Sequence, residues 1–305
     1  METQPYDVVI VGGGAAGLSA ALVLGRARRG VAVVDAGSPR NAPAAHMHGY
    51  LSRDGMPPAD LLATGRSEIR RYGVEVVDGD VVTVDPGFVV GLASGRELRA
   101  RRILVATGVG DEVPDIPGVR ERWGRDLLHC PYCHGWEVRD QPLGVIGSNQ
   151  GSVLHAQLLR QWSDDVVYFA HTQEPTPSEA AELAARGIGV VHGEVARLVI
   201  EDDRLAGVEL ADGQVVRRAA VFVRPVNAPH PDNFLAALGC ELDDAGFARV
   251  DRTGRTSVDG VWAAGNAVDP RAQVITAAGA GSAAAIAINA DLVQEEIALA
   301  LKAAQ

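Results

Sequence analysis

The chain has 305 residues, with 28 Lys plus Arg against 39 Asp plus Glu, for a formal net charge of −11 at pH 7. At roughly 150 residues per domain this length suggests two domains, each able to bury its own core, and a composition 47% hydrophobic and 22% charged is that of a soluble globular protein. So negative a chain is a poor electrostatic partner for nucleic acid or an anionic membrane surface, and 35 glycines without a three-residue period exclude a collagen-like structure.

Met1 to Asp7 carries no basic segment of the kind that opens a signal peptide, so the expected location is the cytoplasm. Tyr6 to Val11 is an almost continuous apolar run and predicts a buried strand. Gly12-Gly13-Gly14-Ala15-Ala16-Gly17 follows, then a helical pattern from Leu18 to Arg29 that stops at Gly30. Val31 to Val34 predicts a second strand, closed by Asp35. Val74 to Val84, Phe88 to Leu92, Glu97 to Arg101 and Ile103 to Thr107 predict further strands, with Arg101 and Arg102 on a solvated edge.

The same plan then repeats. Leu143 to Ile146 predicts a strand, Gly147 to Gly151 a turn, Ser152 to Trp162 a helix and Val166 to Phe169 a strand. Arg197 to Ile200, Leu205 to Leu210 and Gln214 to Arg218 predict a meander, which Val221 to Val223 follows. Two Pro-rich linkers, Val113 to Gly118 and Arg224 to Pro231, flank this second copy. The tail ends in a helix from about Ala272. Its apolar stretch, Val274 to Ile288, is short and interrupted by Gly, Ser and Thr, so no membrane span is expected.

The first glycine loop is a dinucleotide signal because of its setting. Gly12-x-Gly14-x-x-Gly17 follows a strand and opens a helix, and Asp35 ends the next strand 18 residues after Gly17. Glycine lets the backbone turn tightly and approach a pyrophosphate, which the N–H groups at Ala15, Ala16 and Gly17 and the helix dipole then attract. Asp35 is placed to accept from the ribose. The loop alone does not choose between flavin and nicotinamide.

Three cysteines cannot build a disulfide framework. Cys130 and Cys133 are spaced as CxxC, and Cys240 stands alone in an apolar setting that predicts a packed, inert thiol. Cys130-Pro131-Tyr132-Cys133-His134 admits a haem c attachment site, part of a zinc site, a buried inert pair or a dithiol/disulfide couple. The couple is the favoured reading. A CxxC pair closes a small disulfide, and a local environment can lower one thiol's pKa so that thiolate is available for exchange. His134, with an unperturbed pKa near about 6.5, suits proton transfer near neutrality. His129 is a second candidate, and the His46-Met47-His48 loop a candidate for the substrate mouth.

Thr256-Ser257-Val258-Asp259-Gly260-Val261-Trp262-Ala263-Ala264-Gly265-Asn266 resembles the second FAD motif of the thioredoxin-reductase-like flavoproteins. Ala272 to Gly279 resembles that family's helix beginning beneath the flavin. The resemblance covers nearly the whole chain. It implies an α/β fold of two Rossmann-like three-layer dinucleotide-binding domains, the second inserted into the first. Residues 1–113 and 227–305 then form the FAD-binding domain, and residues 114–226 an NADPH-domain-like insert carrying CxxC. It also implies FAD as cofactor and a homodimer, with Gly265, Asn266, Gln273 and Val274 at the flavin beside Gly12, Gly14, Ala15, Ala16, Gly17 and Asp35. Asn266 departs from the Asp usual there. By the same resemblance Cys133 is the flavin-proximal thiol and Cys130 the interchange thiol, with His134 in place of the usual Asp acid/base.

The second nucleotide loop looks degraded. Ser148 and Asn149 stand where the family usually has glycines, and Ala170-His171-Thr172-Gln173-Glu174 lacks the arginines typical of NADPH-dependent relatives. Cys130 to Glu137, with the sequence CPYCHGWE, resembles the FAD-dependent dithiol oxidases that close disulfides in small natural products. That branch implies a small-molecule dithiol as substrate and O2 as acceptor, forming H2O2. The alternatives are an NADPH-dependent thioredoxin-reductase-type enzyme and a flavin-bound redox sensor without turnover.

Overall fold

The computed structural model describes residues 5–305. The first half of the chain runs β1 (Tyr6–Val11), α1 (Ala15–Arg26), β2 (Val31–Asp35), α2 (Pro58–Arg70), β3 (Glu75–Asp78), β4 (Val81–Val84), β5 (Val89–Leu92), β6 (Glu97–Val105) and β7 (Val109–Glu112). Then come α3 (Val119–Arg122), β8 (Leu127–Leu128), α4 (Pro131–His134), β9 (Leu143–Ile146), α5 (Ser152–Leu159), β10 (Val166–Phe169), α6 (Pro177–Ala185) and β11 (Gly189–Val191). β12 (Val195–Glu201), β13 (Arg204–Leu210), β14 (Val215–Arg217), β15 (Ala220–Val223), β16 (Val226–Pro229), α7 (Phe234–Ala237), β17 (Val261–Ala263) and α8 (Val274–Ala303) complete it.

The expected α/β architecture is present. One seven-stranded sheet has the order β3-β2-β1-β6-β5-β4, with β17 also on β6. Its β3, β2, β1, β6 and β17 run parallel. A second sheet, β11-β10-β9-β15-β8, is parallel throughout. Parallel strands covered on both faces must be apolar along their length. Val8, Val9 and Ile10 of β1 and Leu143, Val145 and Ile146 of β9 accordingly have no exposed surface. The order reverses between β1 and β6 in the first sheet and between β9 and β15 in the second, and such switch points open crevices at the strands' carboxyl ends.

Several local expectations are corrected. The run read as one strand from Val74 to Val84 is broken at Gly79, whose φ of +152° turns the chain between β3 and β4. Glu97 to Val105 is one strand rather than two. The second linker is not free of regular structure: its β16 pairs antiparallel with β7, which ends just before the first linker, and the two form a ribbon joining the two sheets. Arg101 and Arg102 are no solvated edge. Arg101 pairs with Asp7 at 2.6 Å and with Glu295, and Arg102 Nε donates to Asp291 at 2.6 Å.

The C-terminal helix also differs from expectation, running 30 residues without a break. By length and composition α8 could cross a membrane, but Ala277, Ala284, Ala285, Ile288 and Leu292 are buried in the core around α1. Its small residues do not interrupt it. They permit contact instead, since a Cβ on Gly281 would lie 2.0 Å from Ala16 O.

That contact seats the first turn of α1. Gly281→Val is expected to lower stability by about 1–3 kcal/mol and to weaken FAD retention in parallel. Thermal melting and the flavin content of the purified variant check this, and an unchanged melt would mean that the helices do not meet there.

Candidate functional site

A cavity of about 620 Å³ opens at the β1/β6 switch point, within the range of about 300–1,000 Å³ usual for cofactor and ligand sites. Gly12, Gly14, Ala15, Ala16, Asp35, Gly265, Asn266, Gln273 and Val274 line it together with Cys130, Cys133 and His134. Of the predicted site residues only Gly17 is not on the wall. Its role is to let α1 start so close to the loop, because a Cβ there would fall 1.9 Å from Gly12 O.

The start of α1 is built to receive an anion. Gly14 is its N-cap and supplies no side-chain hydrogen bond, so the first-turn N–H groups lack the partners a capping side chain would give. A Cβ on Gly14 would meet nothing within 4 Å, which marks open space over those amides. Gly12 adopts φ +108°, and a Cβ there would fall 2.3 Å from Ala106 O, so the loops after β1 and β6 close together below the cavity. Asp35 is held by Arg66 of α2, an ion pair that the sequence reading missed along with the helix. Gly13 lets it approach, since a Cβ on Gly13 would lie 2.7 Å from the carboxylate.

Asn266 uses its side-chain amide within the protein. Nδ2 donates to Asp269 O and Ala272 O, both at 2.9 Å, which leaves Oδ1 as the acceptor for a ligand hydroxyl. Gln273 is the N-cap of α8 and Val274 its first residue, so the positive end of a long helix points into the cavity.

Cys130 and Cys133 are joined as a disulfide, with Cα atoms 5.2 Å apart. Cys130 is the extended N-cap of α4, Pro131 fills the position where no N–H is needed, and Cys133 N–H donates to Cys130 O at 3.1 Å. Gly135 is required here because a Cβ would lie 2.5 Å from Pro131 O and 2.9 Å from the Trp162 ring. Trp162 also meets Tyr132 edge-on, with ring centroids 5.6 Å apart. Burial lowers the His134 pKa, opposed by the charge of Glu137 and reinforced by that of His48. His129 and the 46–48 loop line the same cavity. Burial and the nearby Arg40 hold the His129 pKa below its usual value. Cys240 is buried, and burial raises its thiol pKa.

The second switch point is arranged differently. Ser152 Oγ accepts from Ser148 N and Asn149 N, both at 3.2 Å, and Asn149 Oδ1 accepts from Gly151 N at 3.1 Å. Asn149 Nδ2 donates to Arg224 O at 2.7 Å, and the Arg224 guanidinium lies against Gly151, 1.7 Å from where a Cβ would stand. His171 Nδ1 accepts from Val195 N at 3.1 Å, while Glu174 pairs with His192 at 2.9 Å. The sequence flagged Ser148, Asn149 and Glu174, but nothing in it pointed to Arg224.

Comparison with known proteins agrees with this geometry. The pyridine nucleotide-disulphide oxidoreductase family matches residues 6–283. The chain belongs to that family. The thioredoxin reductase sirT of Leptosphaeria maculans is 32% identical over 313 residues, covering 95% of each chain. The crystal structure of HlmI superposes with a TM-score of 0.96 at 58% identity, over 98% of this chain and 96% of that one. A putative thioredoxin reductase TrxB from Bacillus anthracis gives 0.90 at 36% identity, over 95% and 99%. The protein is thus a thioredoxin-reductase-like flavoprotein and disulfide oxidoreductase. The uncapped turn of α1, the open space above Gly14 and the size of the cavity fit its cofactor, FAD.

Gly14→Val should fold, because its side chain enters empty space, yet it fills the pyrophosphate cradle. Losing one charged hydrogen bond, about 1.5–3 kcal/mol, should weaken FAD roughly tenfold to a hundredfold. Flavin fluorescence on titration of apoprotein measures this; undiminished affinity would place the pyrophosphate elsewhere.

Proposed function

We propose that this flavoprotein is a dithiol oxidase, converting a small-molecule dithiol to a disulfide with O2 as the final acceptor. One contrast carries the reading: a disulfide lines the open first crevice, while in the loop of the second the amides of Ser148, Asn149 and Gly151 are bonded within the chain and the Arg224 guanidinium lies against Gly151. A pyridine nucleotide would have to break those bonds and displace Arg224 to reach the start of α5.

In the proposed reaction a substrate thiolate attacks Cys130 Sγ, forming a mixed disulfide and releasing Cys133 as thiolate. The second substrate thiolate attacks the substrate sulfur of that bond, so the product leaves as a disulfide and Cys130 is freed as thiolate. His134, kept neutral by burial, takes a proton from an attacking thiol. When bound, FAD supplies the two-electron acceptor that returns the cysteine pair to its disulfide, with O2 taking two electrons and two protons as H2O2.

The names of sirT and TrxB favour a second reading, NADPH-driven disulfide reduction. Anaerobic mixing separates the two. A dithiol should bleach the flavin, with colour and peroxide returning on admission of air, whereas NADPH should not. Cys130→Ser and Cys133→Ser should each abolish dithiol turnover. Rapid bleaching by NADPH, or wild-type turnover by either variant, would overturn the oxidase reading.

We also propose a homodimer, supported by an exposed apolar stripe on α8 formed by Ile275, Ile286, Val293, Ile297 and Leu301. Light scattering should give twice the chain mass; a monomer at micromolar concentration would remove the dimer.

A further inference from the structure

Helix α2 has no part in the reaction just described, yet one of its side chains reaches a residue on the wall of the cofactor cavity. The parallel register of β2 and β3 sets Asp35 beside Asp78 at the carboxyl ends of the two strands, so two carboxylates are neighbours on one face of the sheet. Like charges so placed repel. Arg66 answers both: Nη2 donates to Asp35 Oδ2, and Nη1 lies 3.6 Å from Asp78 Oδ1. The Asp35 side chain is 14% exposed and that of Asp78 77%. Water therefore screens Asp78, and the weight of the interaction falls on Asp35. Gly65, one residue before Arg66, lets α2 come close to α1, since a Cβ there would lie 3.1 Å from Leu18 Cδ1. Gly79 N–H donates to Asp35 O at 3.0 Å and fixes the backbone at the same point.

We propose that Arg66 is a positioning residue for FAD, holding the Asp35 carboxylate by one oxygen so that the other, Oδ1, is kept as the acceptor for the adenosine ribose. Among the described residues, no side chain or backbone N–H of the chain donates to Oδ1. Asp35 lines the cavity together with Gly79 and Asp80, whereas Arg66 does not, so Arg66 acts through Asp35 and not on the cofactor itself. Without the guanidinium, the carboxylate loses its anchor and faces the repulsion of Asp78 unopposed. A carboxylate free to turn must be ordered again each time a ribose binds, and that ordering reduces affinity. The effect is confined to the adenosine half of the cofactor, because Asp35 stands at the end of β2 and the flavin-side residues Gly265, Asn266 and Gln273 belong to other elements.

Calorimetric titration of the full-length apoprotein tests this with three ligands: FAD, ADP, which carries the ribose and pyrophosphate, and FMN, which lacks the adenosine. Arg66→Met should weaken FAD and ADP by the same factor, roughly tenfold for most of one hydrogen bond to a charged group, and leave FMN unchanged. Asp35→Ala should weaken the same two ligands. Adding Arg66→Met to Asp35→Ala should then cost nothing further, because Arg66 has no carboxylate left to position. Undiminished FAD affinity in Arg66→Met, an equal loss for FMN, or additive losses in the double variant would overturn the proposal; a merely loosened fold weakens all three ligands and adds. Undiminished FAD affinity in Asp35→Ala would remove the ribose contact, and the role of Arg66 with it. Should Arg66→Met fail to fold, Arg66→Lys takes its place. It keeps the charge without the two-pronged reach, and a smaller loss for FAD and ADP alone is expected.

Discussion

The amides at the start of a helix following the first strand of a parallel sheet must find acceptors, and the function depends on where they find them. A Rossmann-like unit leaves several such donors at its switch point, beside the positive end of the helix. At the start of α1 the chain offers them nothing: Gly14 brings no side chain, and the space above it is open. Before α5 the difference lies in the loop: the amides of Ser148, Asn149 and Gly151 are taken by Ser152 Oγ and Asn149 Oδ1, and the Arg224 guanidinium lies against Gly151. Nearly the same backbone plan therefore leaves an open crevice in one copy and a loop bonded within the chain in the other. Each buried amide that already has a partner raises the cost of admitting a ligand, since the old bond must break before the new one forms.

A redox disulfide is useful only where it is held against the site it serves. The β7–β16 ribbon is the covalent path between the sheets, and Arg40 stakes it to the first. Its guanidinium makes two 2.6 Å hydrogen bonds to Asp111 of β7 and one of 2.9 Å to Pro270 O, while Asn227 of β16 donates to the same Asp111 at 2.7 Å. Paired forks of this kind fix orientation as well as distance. Gly124 adds a close contact, since a Cβ there would lie 2.7 Å from the Pro43 side chain. Arg40, Asp111, Pro43 and Gly124 line the same cavity as Cys130 and Cys133, so the seating of the CxxC segment and the shape of the cavity are one problem.

What the sequence could reveal followed from local rules. Apolar runs marked β1, β2, β9 and β10 because buried parallel strands carry no other pattern, and the glycine spacing marked the first crevice because backbone approach needs it. Five helices escaped, the one-turn α3, α4 and α7 and the longer α2 and α6. α6 had a readable signal, since Thr176 and Glu179 form a capping box. α2 had less, with mean polarity high and only Pro58 and Ile69 buried. With α2 went Arg66, so the engagement of Asp35 was invisible. Arg40, Arg224 and the acidic partners of Arg101 and Arg102 were hidden for a different reason. Their partners lie far off in sequence, as with Arg101 and Glu295, and no local pattern encodes such a pairing.

Asn266 shows how one departure from a family pattern can carry a meaning that composition does not disclose. Judged as a cofactor contact, Asn for Asp exchanges one acceptor for another. In the fold its decisive atom is the donor. Two carbonyl oxygens, of Asp269 and Ala272, face the side chain across the turn that leads into α8. A carboxylate there would set negative charge against two acceptors, whereas the amide bonds both and keeps its own oxygen free. The turn fixes where α8 begins, and with it the helix end that faces the cavity. The substitution thus acts on the cofactor site through the backbone that frames it.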